Sequence, residues 1–275
     1  MINSAILLTA ILLPIIITRL SLSFFINWQA QKKLLITNFE GKKIATAGGA
    51  VLFLSLLFCF YLLSRMPNKL PLPYALLFFY LFGITLLGAI DDIWGEKECK
   101  GLKGHLMKLW KKEGISTGIY KAAGGLLLGF FISSRINEGY LIEWIMGGFF
   151  LALLSNFFNL LDTRPGRSAR VFFFISFVIV IFFRDLAWAL LPIWGILLVY
   201  LPWELNKQIM LGDTGAYLLG GILGIFSLFV LSGKTIIVLN LLLLFVHLFC
   251  EKFSLNSIIE EKLSRNLLVR TGRKN

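Results

Sequence analysis

The sequence predicts an all-α fold: a polytopic integral membrane bundle of about nine transmembrane helices, built as one domain over residues 1–275. Three observations predict it. The chain is 57% hydrophobic and only 15% charged, against ~25% charged residues in a soluble domain. Its apolar residues fall in runs of membrane length, ~20 residues per helical span. Its basic residues collect in alternate loops, the bias that membrane insertion imposes. With no water in the hydrocarbon region, each run must satisfy its own backbone N–H and C=O groups, which a helix does.

The first span is Ile2–Ile26. No basic segment precedes it and no small-residue cleavage site follows, so it is a span and not a removed signal. Ile44–Leu63 and Leu72–Ile90 follow, then Gly118–Ser133 and Leu141–Leu161. Ala169–Phe183 and Leu186–Trp203 are separated only by Arg184-Asp185 and form a tight helical hairpin or an irregular pair. Thr214–Leu231 and Thr235–Cys250 complete the set.

Loops 27–43, 91–117, 162–170 and 204–213, with the tail 251–275, hold 20 of the 27 Lys and Arg residues. The positive-inside rule puts that side in the cytoplasm, with the N-terminus outside and the C-terminus inside. The net charge of +12 is thereby explained by topology and anionic headgroups. No nucleic-acid-binding motif accompanies it, so a nucleic-acid partner is not expected. Cys59, Cys99 and Cys250 form an odd set without metal-ligand spacing and read as free thiols.

The polar motifs fall on the cytoplasmic side. Asp91-Asp92 closes the third run, L-F-G-I-T-L-L-G-A-I-D-D. Adjacent like charges repel, and an anion at a helix C-terminus is disfavoured by ~0.3–1 kcal/mol, so the pair calls for a cation. It is either a Mg²⁺ site, since Mg²⁺ takes one or two carboxylates plus substrate phosphates, or two solvated loop acids beside lysines. Asn156, Asn159 and Asp162 in N-F-F-N-L-L-D recur every three residues and share one helix face. An Asp at mid-membrane costs ~2.5–3.5 kcal/mol, so the row faces a wet cavity or serves as interhelical hydrogen-bond glue.

Arg164, Arg167 and Arg170 follow in T-R-P-G-R-S-A-R, as phosphate forks or as ordinary cytoplasmic positives. In Gly212-Asp213-Thr214-Gly215 the acid suits an N-cap or a metal ligand. Thr46-Ala47-Gly48-Gly49, after Lys42-Lys43, is a phosphate-approach turn or small-residue packing. His247 and Glu251 lie one helical turn apart, as an active-site pair or as a helix-end His bonded to a neighbour.

Together, G-A-I-D-D, N-F-F-N-L-L-D and L-G-D-T-G-A-Y-L-L-G-G resemble, in order and sidedness, the polyprenyl-phosphate N-acetylhexosamine-1-phosphate transferase superfamily. This is glycosyltransferase family 4, which includes the phospho-N-acetylmuramoyl-pentapeptide transferase-like enzymes. The resemblance runs from the Thr46–Gly49 turn to the Glu251 region. It implies transfer of a sugar-1-phosphate from a UDP-sugar to a polyprenyl phosphate, releasing UMP, in cell-envelope glycan synthesis. It implies catalytic roles for Asp91, Asp92 and Asp213, with one of the adjacent pair positioning the lipid phosphate or its proton. It implies Mg²⁺, with Mn²⁺ as an alternative, on Asp213, Asp92 and Asp162. It implies that Asn156, Asn159 and Asp162 line the nucleotide region, with Arg164, Arg167, Lys43 and His247 as further substrate contacts. The implied partners are polyprenyl phosphate, UDP-N-acetylhexosamine, the lipid bilayer and a second copy in a homodimer.

The chain departs from the family pattern in places. Pro165 stands where D-G-x-D-G would place its second Asp, Gly95 where some members carry Lys, and a His-rich motif is reduced to His247 with Glu251. These departures keep an alternative open: a catalytically altered paralogue that binds polyprenyl phosphate and regulates or scaffolds envelope synthesis. A transporter fits less well, because the charges gather at one face without paired midplane breaks or repeats. The stretch Asp162-x-x-Pro165-Gly166-x-x-Ala169-Arg170 echoes CDP-alcohol phosphotransferases, but the further Asp residues of that pattern are missing from Val171–Phe183.

Overall fold

Each apolar run closes into a helix. The computed structural model describes residues 4–32, 35–37, 41–46, 48–65, 70, 72–95, 108, 110 and 116–252. Through these run α1 (Ser4–Gln31), α2 (Gly48–Leu63), α3 (Tyr74–Trp94), α4 (Thr117–Ile136), α5 (Leu141–Leu161), α6 (Arg167–Phe182), α7 (Ala187–Leu205), α8 (Gly212–Val230) and α9 (Gly233–Lys252). Seven of the described helices are long and apolar enough to cross a membrane; α2 and α6 have 16 residues each. The chain is an all-α, multi-pass membrane bundle. Cys99, Ala47, the tail from residue 253 and most of the loop 96–115 lie outside the described residues.

The helix ends differ from expectation where acids occur. α3 continues through Asp91 and Asp92 to Trp94, α7 carries Glu204 in its last turn, and α8 begins at Gly212, taking in Asp213. Hydropathy ends a span at the first charge. The backbone instead continues for as long as the charged side chain finds a partner in the bundle. The Arg184-Asp185 break is a short 3-10 turn, Arg184–Leu186, joining α6 to α7.

α8 is the core helix. Every residue from Thr214 to Ser227 is buried, and the helix packs against α2, α3, α5 and α6. Small residues make this possible, since lipid supplies no hydrophobic drive between helices and close backbone contact must do so. A Cβ on Gly88 of α3 would lie 2.6 Å from the Asp213 carbonyl oxygen, and one on Gly220 would lie 2.6 Å from Ser155 Cα of α5. α1 shows the opposite, two-faced pattern. Ala10, Thr18 and Leu22 are buried against α2 and α7, while Leu8, Leu12, Ile16, Leu20 and Phe24 form an exposed lipid-facing stripe at four-residue spacing.

A short strap braces the polar end of the bundle. β1 (Ile36–Thr37) and β2 (Lys43–Ile44) pair antiparallel, and Ala45 then bridges to Ile209 before α8. Gln29 of α1 accepts from the Thr46 N–H at 2.8 Å, and the Gly49 N–H donates to the Leu211 carbonyl at 3.0 Å. The strap and the start of α2 are thus tied to the turn that leads into α8.

Candidate active site

Three helix ends supply the first group of charges. Lys121, in the first turns of α4, donates from Nζ to Oδ2 of Asp91 on α3 and to Oδ2 of Asp213 on α8. The same ammonium lies 5.0 Å from the centroid of the Tyr217 ring, a cation–π distance. Lys121 is 7% exposed, so its charge is held almost entirely by these partners. The cation that Asp91-Asp92 calls for is therefore met, for Asp91, by a lysine from the next helix.

Asp92 does something different. Its Oδ1 accepts from the Asp213 N–H at 2.9 Å, and its Oδ2 accepts from the Thr214 N–H at 2.9 Å and the Thr214 hydroxyl at 2.5 Å. The first N–H groups of a helix lack partners within it, and here a carboxylate from a second helix caps them. The cap on α8 is thus Asp92, while Asp213 sits inside the first turn. Gly212 makes this approach possible. Its φ is +71°, and a Cβ there would lie 2.8 Å from Asp92 Oδ2, so both the backbone conformation and the space exclude a side chain.

The second group forms around the end of α5. Asp162 directly follows the helix, and its carboxyl feels the Gly212 N–H. Burial, first, and then the charges of Glu204, Asp213 and Asp92 push its carboxyl well above the usual carboxylate range. Glu204 is 2% exposed, and its carboxyl feels the backbone N–H groups of Gly166 and Leu211 and the charge of Arg170. Its Oε2 is buried without a hydrogen-bond partner. Asn156, in the penultimate turn of α5, accepts from the Tyr217 hydroxyl at 2.9 Å, which joins the α5 row to the Lys121 group. Asn159 is partly buried, and its carbonyl receives the Asp162 N–H at 3.2 Å.

Five carboxylates, from Asp91, Asp92, Asp162, Glu204 and Asp213, and the Lys121 ammonium thus meet at one end of the bundle. Two arginines of the 162–170 turn bond within that turn. Arg170 donates from Nε to the Gly166 carbonyl at 3.0 Å and from Nη2 to the Pro165 carbonyl at 3.1 Å. Arg167 donates to the Thr163 hydroxyl at 2.9 Å, and Arg164 is partly buried in the same turn. Lys43 is exposed on β2 opposite Thr37. His247 bonds the Leu243 carbonyl of its own helix through Nδ1 at 2.7 Å, on α9, which packs against α5. Among the described residues no hydrogen bond or ion pair joins Lys43 or His247 to the acidic cluster. Gly48 and Gly49 are packing positions: a Cβ on Gly48 would meet the Met210 carbonyl and the Tyr200 hydroxyl, and one on Gly49 the backbone of Gly215.

Among the described residues, no group of three or more His, Cys, Asp or Glu side chains is placed to hold a metal ion, so the expected three-acid set Asp213, Asp92 and Asp162 is not assembled as one. Mg²⁺ does not need three; it is commonly bound by one or two carboxylates, with waters and substrate phosphates completing the shell. The side-chain groups that act on Asp162 are carboxylates, Glu204 Oε2 has no hydrogen-bond partner, and Asp213 shares its Oδ2 with the Lys121 ammonium. That donor set fits a hard divalent cation.

Sequence reasoning missed Lys121, Glu204 and Tyr217 as members of this group. Lys121 lies inside the predicted span Gly118–Ser133, near its cytoplasmic end. Its signal was a lysine inside an apolar helix before the small-residue run A-A-G-G, where an unpaired charge would be expensive. Glu204, placed in a loop by hydropathy, had the same signal in P-W-E-L.

Over residues 74–231 the chain matches a family model described as Glycosyl transferase family 4. The match spans more than half of the sequence and contains every residue of the acidic cluster, while Lys43 and His247 fall outside it. A comparison with curated proteins gives no match.

Proposed function

The chain belongs to glycosyl transferase family 4, and on that premise we propose that it transfers a sugar-1-phosphate from a UDP-sugar to a polyprenyl phosphate. One observation carries this beyond the family: the acids of three separate motifs converge with one buried lysine at a single end of a membrane bundle. A water-soluble nucleotide sugar and a lipid phosphate can meet only at a membrane surface, and phosphoryl transfer asks mainly for charge neutralisation and positioning there. The excess of Lys and Arg in the loops on this side supports a cytoplasmic orientation for it.

In the proposed reaction, an oxygen of the polyprenyl phosphate attacks the phosphorus that carries the sugar. A new P–O–P bond forms, the bond to the UMP phosphate breaks, and UMP leaves with the electron pair. Lys121 supplies fixed positive charge beside the reacting phosphates, oriented by Asp91 and Asp213. Asp92 holds the start of α8, and with it Asp213, against α3. Asn156, with Tyr217, and Asn159 offer polar contacts to the nucleotide. Asp213 and Asp162 are the residues that would hold Mg²⁺ or Mn²⁺, and the ion would neutralise pyrophosphate charge.

The test is UMP release from membranes given UDP-N-acetylhexosamines, polyprenyl phosphate and Mg²⁺. Asp213→Asn and Lys121→Met are expected to lower it about 10²–10³-fold, the usual effect of removing one charge-stabilising group. No release from wild type with any donor, alongside retained binding of polyprenyl phosphate, would instead mark a catalytically altered paralogue.

A further inference from the structure

We propose that Arg19 and Trp203 form a binding site for the phosphate of an anionic phospholipid, on the outer surface of the bundle where α1 meets α7. Arg19 lies well inside the spanning helix α1 and is exposed, beside Ile16 and Leu20 of the lipid-facing stripe. Charged side chains within spans almost always face the bundle interior or a wet cavity, where they find a partner. Arg19 faces outward instead. Its guanidinium carbon lies 5.1 Å from the centroid of the Trp203 ring, a cation–π distance. Among the described residues no acid forms an ion pair with it.

Neighbouring contacts fix the depth of the two groups. Thr18 donates from Oγ1 to Ser55 Oγ at 2.8 Å, and Ser55 lies about two turns inside α2, or ~10 Å from its start. Trp203 belongs to the last turn of α7, and its carbonyl accepts from the Gln208 N–H at 3.0 Å in the turn beyond. The Arg19 side chain therefore runs from inside the span toward the end of the bundle that carries the acidic cluster. That is the direction in which a long basic side chain snorkels to the headgroups. Trp is itself enriched at that level of a membrane.

The helices around Arg19 offer no counter-charge on this surface. α1 and α2 contain no acidic residue, and the one acid of α7 is Glu204. Glu204 is 2% exposed, and consecutive helix residues point about 100° apart, so it turns into the bundle while Trp203 turns to Arg19. The ring attracts the cation without neutralising it. Lipid headgroups are the anions within reach at this level, and a guanidinium fork matches a phosphate bidentately. A zwitterionic headgroup carries its own ammonium beside the phosphate and an anionic one does not. Charge complementarity therefore selects the anionic class.

The experiment titrates the full chain in detergent micelles with phosphatidylglycerol, phosphatidylcholine and polyprenyl phosphate, and counts bound lipids by native mass spectrometry. The wild type should hold its first phosphatidylglycerol more tightly than its first phosphatidylcholine. Arg19→Gln should cut the phosphatidylglycerol affinity about fivefold, the worth of one basic residue at a membrane surface, and leave phosphatidylcholine unchanged. Arg19→Lys, which keeps the charge and loses the fork, should recover part of the loss. A wild type with no preference between the two phospholipids overturns the proposal, as does unchanged phosphatidylglycerol affinity in Arg19→Gln or an equal loss for both. A loss confined to polyprenyl phosphate also overturns it and gives Arg19 to the acceptor substrate. Should Arg19→Gln fail to fold, Arg19→Met, apolar and of similar length, is titrated with the same readings.

Discussion

Asp91 and Asp213 share the ammonium of Lys121, whereas Asp162 and Glu204, on the other flank of the same cluster, face backbone N–H groups and each other. The guanidinium that acts on Glu204 is turned to the carbonyls of Pro165 and Gly166. One flank has a lysine bonded to both of its acids, and the other has no lysine bonded to either acid among the described residues. The contrast separates two uses of buried acids. The α3–α4–α8 flank is a pair of acids bridged by Lys121 that joins three helices, and the α5–α7 flank is a pair of buried acids that feel each other's charge.

The largest expected effect breaks the bridged pair. Lys121→Met leaves Asp91 and Asp213 without their cation, and losing one partner of a buried pair costs about 3–5 kcal/mol. Thermal unfolding in detergent, followed by tryptophan fluorescence, should show a large fall in Tm. Asp162→Asn, which removes charge from the crowded flank, should leave Tm unchanged or higher in divalent-free buffer. Equal destabilisation by the two would erase the contrast.

Next comes the cap. Asp92→Ala removes the acceptor for the Asp213 and Thr214 N–H groups, and loss of an N-cap costs about 0.5–2 kcal/mol. Asp92→Asn keeps one acceptor oxygen and should lose less stability than Ala. Turnover provides the sharper distinction. A capping Asp92 predicts that the Asn variant retains much of its UMP release, while a metal-ligating Asp92 predicts that Asn and Ala are equally inactive. Smaller again is Tyr217→Phe, which deletes the bond to Asn156 at about 0.5–1.5 kcal/mol. Because the ring persists for Lys121 to rest on, this variant should change stability more than it changes Lys121-dependent turnover.

Much of this arrangement was legible in the residues themselves. Apolar runs set the helix count because backbone hydrogen bonding in lipid leaves no other choice. The acids at the ends of these runs marked the site because charge at that depth is costly. Lys121 shows the limit. A lone lysine near a span end has the same local signature whether it obeys topology or neutralises two acids, 30 and 92 residues away in sequence. Asp92 shows another. Next to Asp91 on the chain it looks equivalent, but on a helix neighbouring side chains point about 100° apart, so one meets α4 and the other the start of α8. Glu204 was hidden because hydropathy ended α7 one residue before it.

The smallest effect is a drift with pH, and it sharpens the contrast without breaking the fold. Burial and the neighbouring charges of Glu204, Asp213 and Asp92 raise the Asp162 carboxyl well above the usual carboxylate range in the folded protein. In the unfolded chain it titrates near ~3.9. Between those two values the folded state holds a proton that the unfolded state has released, so stability is fully present at the acid end and falls as pH rises through the folded value. Other groups titrate in the same range, so the informative quantity is the difference between wild type and Asp162→Asn. In divalent-free buffer that difference in Tm should grow in favour of Asn as pH rises, and Mg²⁺ should reverse it by stabilising only the protein that keeps the carboxylate. A difference that is flat with pH would mean that Asp162 is as well compensated as Asp91 and that the two flanks are electrostatically alike.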